Sequence, residues 1–168
     1  MGTNRAKSEM MALVGGCVQD RPNYLVPPNL KGEFSKIITG SFQIETQPME
    51  GKRYDLIIEE KPSSAEKVKK RLSEVGIYIT SIDSLVEREI FRDFSNHFEI
   101  VMPYYFITDN FWVTPLLFAS LKYHPTADII RHRSDFVEDA YYYTTDIHLA
   151  SFQLPRHIFN KIRDVIRI

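Results

Sequence analysis

Apolar and polar positions along this chain fall into short, changing periods, and each change of period marks an element. Ser41-Phe42-Gln43-Ile44-Glu45-Thr46 alternates with period two, and Tyr54-Asp55-Leu56-Ile57-Ile58-Glu59-Glu60 is an apolar run ending in acid. Between them lies the turn Pro48-Met49-Glu50-Gly51, so the pair predicts a β-hairpin. Ser63, with Glu66 three residues later, forms a capping-box pattern; Ala65, Val68, Leu72 and Val75 then supply a helical stripe and Gly76 its stop. Ile77 to Ile82 reads as the next strand. Because a helix separates it from strand 54–60, the two are expected to pair in parallel as a βαβ unit.

The pattern continues to the C-terminus. Ser84 with Glu87 opens a helix whose Val86, Ile90, Phe94 and Phe98 share a face. Glu99 to Thr108 reads as a buried strand, which Pro103 confines to an edge or a bulge. Thr114-Pro115 predicts a short helix to about Lys122, with proline at its first position. Thr126 caps a helix carrying Ile130, Val137 and Tyr141, while Tyr141–Thr145 and Leu149–Leu154 read as closing strands. Pro155 leads into a final helix with Ile158, Ile162, Val165 and Ile166 along one stripe. Phe34-Ser35-Lys36-Ile37-Ile38 suits either a helix or a strand. The sum over residues 33–168 is a single α/β or α+β domain: a mixed sheet with a hairpin and one βαβ unit, helices packed on it. Residues 1–32 are rich in turn and polyproline chemistry (Gly15-Gly16, Asp20-Arg21-Pro22-Asn23, Val26-Pro27-Pro28) and predict an extended N-terminal arm.

Composition narrows the classes. With 168 residues, 43% hydrophobic and 26% charged, the chain is an ordinary globular domain with enough apolar mass for a core. A formal charge of −1 gives no global attraction to nucleic acid or anionic membrane. One cysteine, Cys17, excludes an intrachain disulfide and a cysteine-rich zinc site. No run reaches the roughly 18 apolar residues of a membrane span. A soluble intracellular protein of the cytoplasm or nucleus, without a membrane partner, is the expectation.

Candidate chemistry concentrates at the end of strand 54–60. A hairpin with an acid on its first strand, Glu-x-Lys on its second and a helix after it resembles the restriction-endonuclease-like PD-(D/E)xK core. The resemblance covers roughly residues 33–82. It implies a nuclease in which Glu45 and Glu59 hold Mg²⁺ or Mn²⁺ and Lys61 orients the attacking water. Glu45 replaces the usual aspartate, however, and the proline before it is missing. Leu56 to Ala65 also resembles the opening strand and helix of Toprim domains, with Glu60 at the glutamate position. The Asp-x-Asp such domains need is not supplied by Asp109-Asn110 or Asp146-Ile147-His148. The five histidines show no His-x-x-x-His spacing, and there is no Walker loop, Gly-x-Gly-x-x-Gly or Gly-x-Ser-x-Gly.

Two further groups suit binding. Lys67, Lys70 and Arg71 lie on one helical face opposite the apolar stripe and could meet nucleic-acid phosphates. Tyr141-Tyr142-Tyr143, together with Tyr24 in the arm, are typical anchors for a protein partner. Without a complete catalytic motif, the residues read as a non-enzymatic protein–protein interaction or structural subunit of a larger assembly, with no cofactor. The metal-dependent nuclease, or an inactive relative of it, is the alternative.

Overall fold

The computed structural model describes residues 2–20, 22–37 and 42–168; Ile38 and Ser41, which the sequence places in regular elements, lie outside them. Among the described residues the strands are β1 (Asn23–Leu25), β2 (Gln43–Glu45), β3 (Tyr54–Glu59), β4 (Leu72–Ser81), β5 (Ile100–Ile107) and β6 (Val113–Ser120). They form one six-stranded sheet in the order β2-β1-β3-β4-β6-β5. β2, β1, β3 and β4 run parallel, and β6 is antiparallel to both of its neighbours. β5 and β6 are the hairpin of this mixed α/β sheet, and β3, α2 (Ala65–Arg71) and β4 are its βαβ unit. Pro103 lies on β5, an edge strand, where its missing N–H costs no ladder bond.

Helices cover both faces, which is why β3 and β4 carry near-continuous apolar runs. On one face α1 (Gly2–Gly16) presses Met10, Met11, Leu13 and Val14 against Leu56, Ile79, Tyr104 and Phe118, all fully buried. On the other, α2, α3 (Arg88–Ser95) and α6 (Arg156–Ile162) bury Val68, Phe91, Phe94 and Ile162 against Ile57, Tyr78 and Leu117. Tyr78 stacks on Phe94, ring centroids 5.3 Å apart. Among the described residues no helix is long and apolar enough to cross a membrane.

Several sequence expectations are corrected. The described part of 1–32 is not an extended arm: Gly2–Gly16 is a helix whose residues 9–16 are sealed into the core. The unbroken run Met10 to Val14 is the signature of a helix buried all round, and the glycine pair after it permits close approach rather than a turn. A Cβ on Gly15 would fall 2.8 Å from a Leu56 methyl. β2 and β3 are not a hairpin, because β1 lies between them and all three are parallel. Pro48–Gly51 therefore belongs to a connection returning to the other end of the sheet, with Gly51 at φ +76°. The helix after β3 ends at Arg71, and its cap is Ser64, which accepts from the Lys67 amide; Ser63 turns back to Glu59. Residues 113–120 form β6 rather than a helix, since pairing with β4 and β5 satisfies a segment whose apolar run suited either state. Of the helix expected from Thr126 to Tyr141 only Arg131–Ser134 is helical, as α4. The expected closing strands give way to coil at 141–143 and to helix α5 (Thr145–Ala150), capped by Thr144.

Candidate active site

Parallel strands deliver their last residues to one end of the sheet, and this chain turns outward from β1 to β2 but the other way from β3 to β4. The gap between β1 and β3 is thus a topological switch point, where open α/β sheets bind ligands. A cleft of about 260 Å³ opens there, lined by Val26 and Pro27 after β1, Thr46 after β2, and Glu59 and Glu60 at the end of β3, with Arg71 beside them.

Three carboxylates gather at these strand ends, each held differently. Glu45, the last residue of β2, accepts from the Lys52 ammonium and the Tyr54 hydroxyl. Lys52 first, and then Tyr54, hold its carboxyl below the usual range. Glu59 accepts from Tyr78 Oη at 2.7 Å and from Ser63 Oγ at 3.1 Å. Burial, and then the Glu59 carboxylate, push the Tyr78 phenol up, so it stays a donor. Glu60 pairs with Lys7 Nζ at 2.9 Å, a contact between α1 and the residue that follows β3, across 53 residues.

On α1 lies a fourth acid that the sequence pattern did not single out. Glu9 is fully buried, yet accepts from Lys36 Nζ at 2.8 Å and from the backbone amides of Tyr141, Tyr142 and Tyr143 at 2.7 to 2.9 Å. Burial opposes its ionisation, but Lys36 and the three amides together hold the carboxyl below its ordinary value. An acid directly before the apolar run of α1 was the available signal; its partners are far away in sequence.

The other sequence-predicted residues divide. The presumed metal ligands Glu45 and Glu59 stand on strands separated by β1, each already engaged by protein donors, and Lys61 is exposed. Among the described residues no group of three His, Cys, Asp or Glu side chains could hold a metal ion. Lys67, Lys70 and Arg71 lie exposed on α2, with Lys70 paired to Glu66 at 3.1 Å. Tyr24 is fully buried and stacked on Phe42, ring centroids 5.0 Å apart. Tyr143 is buried, Tyr142 half-buried and Tyr141 exposed, with the Arg5 guanidinium over its ring at 4.7 Å. Cys17 is buried, and burial pushes its thiol up to about 11, far from a nucleophile's range.

This architecture is the Rossmann-like α/β fold of spermidine synthases. The crystal structure of spermidine synthase from Thermotoga maritima superposes with a TM-score of 0.78 at 16% identity, covering 96% of this chain and 75% of that one. A spermidine synthase in complex with the transition state analogue AdoDATO gives 0.77 at 16% identity, covering 96% and 76%. In sequence, the chain is 28% identical over 132 residues to a polyamine aminopropyltransferase of Helicobacter acinonychis (strain Sheeba), covering 69% of this chain and 47% of that protein. The same enzyme of Helicobacter pylori (strain G27) matches at 26% over 132 residues, with the same coverage. The chain thus spans about half the length of the curated relatives it matches. No protein-family model matches it. These likenesses overturn both functional expectations: the similar proteins are transferases, neither non-enzymatic subunits nor metal-dependent nucleases.

Proposed function

We propose that this chain carries the substrate-binding core of a polyamine aminopropyltransferase, the activity named for its sequence relatives. The observation that carries the reading is the pair of carboxylates, Glu59 and Glu60, lining the switch-point cleft at the end of β3, with Glu45 ending β2, in a fold shared with spermidine synthases. In such a transfer the donor is decarboxylated S-adenosylmethionine, a sulfonium with an aminopropyl arm. An amine nitrogen of the acceptor attacks the propyl carbon bonded to sulfur. The C–N bond forms as the C–S bond breaks, and sulfur keeps the electron pair and leaves as a neutral thioether nucleoside. The proton released from nitrogen passes to a carboxylate or to water. Donor and acceptor are both cations, so a cleft edged by acid suits them and an acid-lined mouth concentrates them.

Roles for individual residues follow from position. Glu45 stands at the tip of β2, beside β1 and 20 residues after Leu25. An acid at that place in a nucleotide-binding sheet bonds the ribose hydroxyls. Val26-Pro27-Pro28 follows β1, and two prolines remove the N–H groups that a phosphate cradle requires. A nucleoside donor without phosphate has no use for one. Glu60, the most exposed of the three acids, is assigned to the acceptor amine, which it binds as an ammonium and relieves of its proton on transfer.

Incubating the full chain with decarboxylated S-adenosylmethionine and 1,4-diaminobutane or spermidine, and following the thioether nucleoside by mass spectrometry, tests the reading. Turnover is expected, with Glu60→Gln lowering it about 100-fold or more while the thermal melt is unchanged. No thioether above the protein-free control with either acceptor overturns it.

A further inference from the structure

We propose that Lys7 is a built-in competitor for the acceptor: its side-chain ammonium sits on Glu60 and has to be displaced before a polyamine ammonium can bind there. The inference rests on the aminopropyltransferase reading and adds to it a residue that sets acceptor affinity. The three strand-end acids differ in how firmly they are held. Glu45 is gripped by Lys52 and Tyr54, and Glu59 by the buried Tyr78 and by Ser63. Glu60 has Lys7 alone as its partner among the described residues, at 2.9 Å, and the two side chains are 47% and 30% exposed. Lys7 Nζ is a primary alkylammonium, the same group that ends a polyamine. It shows the carboxylate occupied by the chemistry proposed for its ligand.

The lysine's backbone is fixed while its side chain, 30% exposed, borders solvent. The same stretch of α1 is pinned by Glu9, which accepts three amides from the 141–143 segment, and by Arg5 over the Tyr141 ring. Displacement therefore needs only rotation about the side-chain bonds of Lys7. An ion pair this exposed is weak, and its loss changes acceptor affinity by up to about fivefold, which is ~1 kcal/mol. That is enough to measure and small enough for a dication to overcome.

Calorimetric titration of 1,4-diaminobutane into the full chain, Lys7→Met, Glu60→Gln and the double variant tests this. Lys7→Met is expected to tighten binding two- to fivefold and to lower the acceptor KM with kcat unchanged. Glu60→Gln weakens binding, and in that background Lys7→Met has no effect. A second readout needs no substitution: after reductive ¹³C-methylation, which keeps the charge, the Lys7 methyl resonance shifts on adding the diamine. Wild-type binding that Lys7→Met leaves unchanged or weakens, or a Lys7 resonance that does not move, overturns the competitor role alone. Absence of diamine binding in every variant overturns the transferase reading, and this inference with it.

Discussion

Glu9 is a carboxylate that a burial argument alone would expect to find protonated. Its low pKa comes from donors: one ammonium and three amides, all charge-assisted bonds to a buried carboxylate. The folded pKa lies below the unfolded one, so this stabilisation is present above the unfolded value of about 4.5 and is lost as pH falls through the folded value. Glu9→Gln keeps the shape but forfeits the charge and turns two donors towards partners that are themselves donors. Loss of about 2–4 kcal/mol in urea denaturation at neutral pH is expected. A loss below 0.5 kcal/mol would show that the 141–143 segment holds itself. None of this was legible at Glu9, because its bonds reach 27 to 134 residues along the chain. The tyrosine triplet was visible, but as exposed anchors on a strand rather than as coil whose amides converge on one acid.

Between residues, the elements themselves were read unevenly. The βαβ unit at 54–81 and the helix after Pro155 were legible, since each combines a clean period with local punctuation. Gly76 was legible as a break but not as the kind of break it is. While β3 advances from Tyr54 to Leu56, β4 advances from Leu72 to Ile77, so the intervening residues bulge out and Gly76 folds onto Leu72. A Cβ at Gly76 would fall 2.7 Å from the Leu72 Cβ, an atom that cannot move without the backbone. Gly76→Ala is expected to destabilise by about 2–3 kcal/mol, read as a lowered Tm. Gly32→Ala, with nothing within 4 Å of the added methyl, is the neutral control. β6 was misread for a different reason. Its run Leu116–Ala119 is apolar at every position, so no period separates a doubly covered strand from a buried helix, and only the ladders with β4 and β5 decide.

For the molecule as a whole, a buried histidine sets the response to acid. His148 Nδ1 lies 2.6 Å from the Tyr143 hydroxyl and its Nε2 donates to the Pro125 carbonyl at 2.9 Å, so the neutral ring has a partner at each nitrogen. Burial lowers its pKa to about 4. The unfolded chain takes up this proton below about pH 6.5 and the folded chain does not until about pH 4, so stability falls as pH drops through that window. The loss amounts to on the order of 3 kcal/mol, measurable as a falling urea midpoint between pH 7 and 4 that flattens in a His148→Phe variant. The sequence by itself determined the βαβ unit at 54–81, the helix after Pro155, the apolar mass of the core and the acidic end of β3, because these depend on period and on neighbours a few residues apart. Strand order was decided only in three dimensions. By inserting β1 between β2 and β3, the tertiary structure replaces a supposed hairpin nuclease edge with a switch-point cleft, and by burying α1 it brings Lys7 to Glu60. Such pairings depend on which distant surfaces can exclude water together, and no local pattern encodes that.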